Sequence, residues 1–513
     1  GGREMIENIS RSLRDMLGDA YIDAVIRVSS ALTGEHAAAL DDVASEPVEF
    51  FPPSFAARSD ELARRAGDQL VPPWDDDVAG AATEAFARAQ NDAGAPLGGL
   101  GVCRIGQDGR IHIAGKSEHY QLSLGHAFPG YRLIDAARRL GIPNATHNNT
   151  RGHVTRLLER ELVNAAAPDP DLPEPGTTPR LSRVINLETG SLAAEAALKM
   201  MLARFWPADG GAPAAGPDRI PVFLVMGDRD GGITGNYHGT TTLAQSLRGL
   251  WPGMTERAGA AGLYRVLAVR PNDIADFRAT FAEATRDGGA VAGFCHEIVM
   301  MNYGGLRLDP DYLRDAYRIC HEADVPVFCD EIQSGAWYGE LFLFRRYGLH
   351  PDLVAIGKGF PGGEYPASRI LLSERMDSLA QFGALVTNGQ EELASLAYLI
   401  TMAFVRANTD HIDATGALYH ELLGALVSRH SRLLRAVSGD QHMAAIEFFD
   451  ATDASRFCRE LDREHGVDIS VQAYKPSAPP AALTKLPMIS TAATVEAVLE
   501  RMEKVLVGME ETR

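Results

Sequence analysis

The stretch Val325-Pro326-Val327-Phe328-Cys329-Asp330-Glu331-Ile332-Gln333-Ser334-Gly335 decides how the rest of the chain is read. Its first five residues are apolar, as in a strand buried on both faces of a parallel sheet, and the run ends directly in two acids. In such sheets ligands sit at the carboxyl ends of the strands, so Asp330 is expected to face a cleft rather than open solvent. Working outward, similar short runs occur at 182–187, 222–226, 264–269, 291–297, 353–356 and 369–372, alternating with helical patterns. Together they predict an α/β fold: a mostly parallel seven-stranded sheet with helices on both faces.

Lys358 follows Asp330 by 28 residues, about one strand-helix-strand unit, so the two are expected on neighbouring strand ends. The surrounding Gly357-Lys358-Gly359-Phe360-Pro361-Gly362 matches a dinucleotide fingerprint, but Pro361, Gly363 and Pro366 prevent the helix that a pyrophosphate would need. Gly359 after Lys358 also breaks the Walker pattern, which requires Ser or Thr. What remains is a lysine with little bulk around it, suited to attack a carbonyl carbon if burial lowers its pKa. In isolation, a surface lysine in a turn is the commoner reading. Asp330 shifts the balance, because a carboxylate there can keep a pyridine nitrogen protonated and make a pyridoxal ring an electron sink.

Two further segments suit a phosphate-bearing cofactor. Thr189-Gly190-Ser191 lies between a strand and a helix, where amides and hydroxyls cradle phosphate, or else simply cap the helix. Gly235-Asn236-Tyr237-His238-Gly239 sets an aromatic residue in a glycine-flanked loop, placed to stack on a ring or to pack on the core.

The ordered set resembles the class III aminotransferases, pyridoxal 5′-phosphate (PLP) enzymes of fold type I. Leu124-Gly125-His126-Ala127-Phe128-Pro129 is similar to their early Leu-Gly-His-x-His-Pro segment. The resemblance continues through Thr189-Gly190-Ser191, Tyr237-His238-Gly239, Asp330 to Gly335, and Pro351-Asp352-Leu353-Val354-Ala355-Ile356-Gly357-Lys358-Gly359. It implies that Lys358 carries the cofactor as a Schiff base and moves protons, and that Asp330 pairs with the ring nitrogen. Gln333 would contact the ring hydroxyl, Tyr237 would stack on the ring, and Gly190 and Ser191 would bind the phosphate. Thr387 would reach the phosphate of a neighbouring subunit, since family sites are built across a homodimer interface.

Departures concentrate in substrate recognition. The family's Glu-Pro-x-x-Gly segment appears as Glu297 to Gly305 without proline, and Ala336-Trp337-Tyr338-Gly339 stands where many members have a Phe-Gly-Arg-Thr-Gly type of sequence. Leu192 replaces a usual Glu, and Lys485-Leu486-Pro487-Met488 stands where some members carry an Arg that binds a substrate carboxylate. Lysine is a point charge that cannot make the same bidentate fork. Glu297 and Lys485 are therefore expected substrate-binding residues. The resemblance implies amino transfer between an amino acid or amine and a carbonyl acceptor. The alternative is a non-transaminating PLP enzyme of secondary metabolism, catalysing β/γ-elimination, replacement with carbon-carbon bond formation, or racemisation; a non-catalytic scaffold is the remote third.

Composition agrees with a folded chain: 45% of the 513 residues are hydrophobic, 23% are charged, and the net charge is −19. The acidic balance argues against nucleic-acid or anionic-membrane partners. No apolar run reaches spanning length, and five scattered cysteines without a Cys-x-x-Cys pair suggest neither a disulfide framework nor a zinc site. A cytoplasmic protein with no metal is expected, its partners a small-molecule substrate pair and a second copy of the chain.

The expected organisation is a helical extension over 1–98, a large PLP-binding domain over 99–392 and a small α+β domain over 393–513, with 99–165 free to pack with the small domain. Within the extension, the spacing of Ile6, Ile9, Leu13, Met16 and Leu17 predicts a first helix. Asp75 to Asp77 before an Ala-rich run predict another, ending near Gln90. The Gly/Pro-rich stretch 93–101 reads as a boundary, and 168–179 and 207–221 as surface insertions.

Overall fold

The computed structural model describes residues 5–512 other than 76, 92, 118–120, 148, 169–178, 229–233, 385, 388, 473–474 and 476–477. The seven expected strands form one sheet in the order Leu181–Leu187, Ser368–Ser373, Leu353–Ile356, Val327–Asp330, Gly289–His296, Ile220–Met226 and Arg265–Val269. Ser368–Ser373 runs antiparallel to both neighbours; the other pairings are parallel. The three strands Val327–Asp330, Leu353–Ile356 and Ser368–Ser373 are buried along their whole length, which is why they carry no polar alternation in sequence. Helix Gly190–Ala203 buries seven residues and contacts the sheet.

Two four-stranded sheets flank this core. One is antiparallel, ordered Leu434–Asp440, Met443–Phe448, Ala481–Lys485, Ser470–Gln472. The other joins Val467–Asp468 to Ile111–Ala114, Cys103–Gly106 and Pro96–Leu100, so a segment near residue 100 shares a sheet with one near residue 467. Helices Glu392–Ala407, Thr409–Arg429 and Ala492–Glu511 supply the helical part of the expected C-terminal α+β region. The second stops at Arg429, and Leu434–Asp440 beyond it is a strand paired with Met443–Phe448.

The early chain departs most from expectation. No helix covers Ile6 and Ile9. Ser12 caps helix Leu13–Leu17 through a reciprocal pair with Asp15, and Ser10–Arg11 pairs as a short strand with Val48–Glu49. The helix expected from Asp75 is only Glu84–Ala89, capped by Thr83. Gly80 takes a φ of +66° ahead of it, and the short helix buries none of its residues. The presumed boundary at 93–101 contains the strand Pro96–Leu100. Most of the 168–179 insertion lies outside the described residues.

The extension is nevertheless fastened to distant chain. The Glu7 amide donates to Asn408 Oδ1 (2.7 Å), the Thr491 hydroxyl donates to Asp60 (2.6 Å), and the Arg501 guanidinium donates to the carbonyls of Arg64 and Ala66.

Candidate active site

Parallel pairing places Asp330 opposite Ala355, three residues before Lys358, so both functional groups emerge at the same end of adjacent strands. They line a cleft of about 250 Å³ together with Gly190, Ser191, Tyr237, Glu297 and Gln333. Seven of the nine sequence-selected residues thus meet in one place. Thr387 is exposed in the turn before helix Glu392–Ala407 and does not line the cleft. Lys485 does not line it either: the residue is fully buried, its ammonium donating to the Gln333 carbonyl.

Each group has a definite setting. Asp330 Oδ2 lies 2.9 Å from His238 Nδ1, and its Oδ1 accepts from the Ile332 amide at 3.0 Å, which fixes the carboxylate plane. Burial pushes the Lys358 amine below its ordinary pKa, an effect opposed by Glu297 and Asp330. The residue sits at φ +32°, a backbone conformation unusual for a side-chain-bearing residue and held by its turn. Burial, and then the nearby Asp330 carboxylate, push the Glu297 carboxyl well above its usual range, while Asn236 Nδ2 donates to its Oε2 at 2.8 Å.

Thr189 is the N-cap of helix Gly190–Ala203, and no side chain caps that N-terminus. Its first-turn amides are therefore oriented as an anion cradle at the edge of the cleft. Ser191 Oγ accepts from the Thr240 amide (3.1 Å) and lies 3.2 Å from its hydroxyl, joining the cradle to the loop after Tyr237. Close packing explains two glycines. A Cβ on Gly190 would come within 2.9 Å of Ile332, and Gly239, at φ +106°, would bring one within 2.8 Å of Ser191. Tyr237 is half-buried, with the Arg248 guanidinium 5.3 Å from its ring centroid.

The residues fit a phosphorylated pyridine aldehyde. Gln333 Oε1, His238 Nε2 and Ser368 Oγ are buried at the cleft without a hydrogen-bond partner, a costly state in a closed protein and an expected one in a ligand cradle. An acid, an amine and an uncapped helix end converge where the ring nitrogen, aldehyde and phosphate of PLP would lie. Among the described residues no group of three or more His, Cys, Asp or Glu side chains forms a metal site, and all five cysteines are free and buried. No helix among them is long and apolar enough to cross a membrane.

Asn236 and His238 stand in the sequence only as neighbours of Tyr237. Their alternation with Tyr237 was the available signal: two polar side chains spaced by two, on the opposite side from an aromatic one. The partners themselves, Glu297 and Asp330, lie 61 and 92 residues away, beyond any local pattern.

Comparison with known proteins agrees with this geometry. The sequence profile described as aminotransferase class-III matches residues 100–506. An L-lysine-epsilon aminotransferase from Streptomyces clavuligerus is 28% identical over 56% of this chain and 65% of its own length. An ornithine aminotransferase from Emericella nidulans is 31% identical over 56% of each. The chain thus spans about two thirds or less of these two relatives' lengths, whereas the ornithine aminotransferase of Bordetella pertussis, 27% identical, is matched over 80% of its length and 71% of this chain. Among solved structures, the ornithine aminotransferase of Toxoplasma gondii superposes with a TM-score of 0.66 at 19% identity, covering 84% of this chain and 95% of that one. A profile match over most of the chain, on a fold of the same kind, shows that this chain belongs to the class III aminotransferases, PLP-dependent enzymes of fold type I.

Proposed function

We propose that the protein transfers an amino group from an amino acid or amine to a carbonyl acceptor. The observation that carries this reading is the meeting of Asp330 and Lys358 on adjacent parallel strand ends around one cleft. When bound, PLP supplies an electron sink for the charge left on a substrate carbon.

The chain's own residues do the rest. Asp330, oriented by His238 and the Ile332 amide, would hold a positive charge at the ring nitrogen. Lys358, its proton affinity lowered by burial, would take the proton from the substrate's α-carbon and hold it for return. Gly190, Ser191 and the helix N-terminus would hold the phosphate, with Tyr237 against the ring and Gln333 at the ring hydroxyl. Thr387, exposed and outside the cleft, is assigned to the phosphate of a second subunit in a homodimer. The division at 98/99 and 392/393 and a cytoplasmic setting belong to the same proposal.

The test is a donor panel of ornithine, lysine and 2-aminoadipate offered to PLP-loaded protein with a 2-oxo acid acceptor. Amino transfer is expected with at least one donor, together with a visible absorption band that Lys358→Ala abolishes. Exchange of the substrate Cα proton or release of a leaving group, without amino transfer from any donor, would replace this reading with elimination or racemisation.

A further inference from the structure

Lys485 ends the strand Ala481–Lys485, is fully buried and does not line the cleft. Its backbone is pinned on both sides: the amide donates to the Gly115 carbonyl at 2.8 Å, and the carbonyl accepts from the Ser117 hydroxyl. The side chain reaches the opposite way. Its ammonium donates to the Gln333 main-chain carbonyl and lies 3.7 Å from the centroid of the Trp337 ring. Trp337 answers by donating its indole N–H to the Leu486 carbonyl at 3.2 Å, so the 331–341 loop and residues 485–486 hold each other through two reciprocal contacts.

That loop touches both halves of the site. Gln333 lines the cleft with a buried, unpartnered Oε1. The Trp337 ring packs so tightly on Gly359, the residue after Lys358, that a Cβ there would collide with it. From the other end, Glu331 accepts from the Ser334 hydroxyl (2.8 Å) and the Leu343 (2.6 Å) and Phe344 (3.2 Å) amides. The Lys485 side chain bridges the Gln333 backbone and the Trp337 ring.

We propose that Lys485 is a positioning residue, which fixes the Gln333 main chain and the Trp337 ring and thereby sets the placement of the Gln333 amide and of the Lys358 turn. A substrate-contacting role is replaced by support of the cofactor's contacts. The inference rests on the PLP-dependent reading of the cleft. Burial, reinforced by Lys358 and Lys116 and opposed by Glu297, drives the Lys485 amine well below its ordinary pKa. Such a group is retained in a dry core only where its hydrogen bond repays the burial.

The decisive variant is Lys485→Met, which keeps the length and loses the donor. The expected result has two parts. The pH midpoint of the visible band of the Lys358-bound cofactor rises by about one unit, as loosened Gln333 stops supporting the ring oxygen. The kcat falls about tenfold, with KM for the amino donor changed less than about threefold. Trp337→Phe, which removes the indole donor, moves both readouts the same way by a smaller amount, and serves where Lys485→Met does not fold. A KM increase of about tenfold with an unmoved band midpoint would show direct substrate contact and overturn the proposal. A lowered melting temperature with both readouts unmoved would show a merely structural role and overturn it equally. A wild type that forms no visible band with added PLP sinks the function proposed above, and this inference with it; a coloured wild type with an unaltered variant sinks this inference alone.

Discussion

The cleft end of the central sheet and the stretch around residues 70–91 lie on opposite sides of a physical divide. At the cleft, polar groups are driven inside: Asp330, Glu297, His238 and Gln333 are all buried, and several atoms lack partners. In the 70–91 stretch the reverse holds, since Trp74, Val78 and Phe86 are exposed, the last two to about three quarters of their surface. The first arrangement spends stability to hold reactive groups in fixed geometry; the second makes few contacts and has little to lose. Substitutions should therefore be severe at the cleft and mild in the 70–91 stretch.

The sharpest test is Asp330→Asn, nearly isosteric but unable to hold a pyridinium charge. Amino transfer is expected to fall by about 10²–10³-fold, the usual loss when a charge-stabilising group is removed, with the secondary structure unchanged by circular dichroism. A loss of less than about threefold would erase the distinction between the cleft and the rest of the sheet.

Next in size is a pH effect at the loop beneath the site. Burial pushes the Glu331 carboxyl up to about 7, against the opposing influence of its three hydrogen bonds. Between its unfolded value and about 7 the folded state holds a proton that the unfolded state has released, so stability falls as pH rises and levels off above that window. The drop is about 3 kcal/mol by linkage. Urea unfolding at pH 5 and pH 8 should show this decline in the wild type and much less of it in Glu331→Gln.

Gly359→Ala forces a methyl group into the Trp337 ring. It is expected to cost about 1–3 kcal/mol, read as a lower urea midpoint, with impaired cofactor binding because the strain falls beside Lys358. At the mild end, Ser12→Ala removes one half of a reciprocal cap and should cost about 1 kcal/mol by the same measurement. Thr83→Ala, on the helix that buries nothing, should change stability by less than about 0.5 kcal/mol. If Thr83→Ala proved as damaging as Gly359→Ala, the contrast between the two regions would fail.

The same contrast explains what could be read from the chain alone. The central strands announce themselves because each is buried on both faces and its apolar run survives without context, as at Leu353–Ile356. Asp330 and Lys358 are readable because the spacing of one crossover unit relates them. Pro96–Leu100, by contrast, contains two glycines and a proline and exists as a strand only because Cys103–Gly106 pairs with it. Ile6 and Ile9 fit a helical spacing, yet Ser12 and Asp15 start the helix later and the chain before it pairs with Val48–Glu49. The placement of Lys485 was illegible for another reason: a motif position says which backbone carries the residue, whereas the direction of its side chain depends on Trp337 and Gln333, about 150 residues away.

The fastening of residues 7, 60, 64 and 66 to residues 408, 491 and 501 also governs the order of events during synthesis. At ribosomal rates of about 5–20 residues per second, those early segments emerge some tens of seconds before their partners exist. Leu13, Leu17, Ile22 and Leu40, all buried in the finished molecule, must wait through that interval with incomplete cover. The early chain is thus the part most exposed to chaperones and to misassembly, and the tolerance of its 70–91 stretch once folded coexists with a vulnerable passage on the way there.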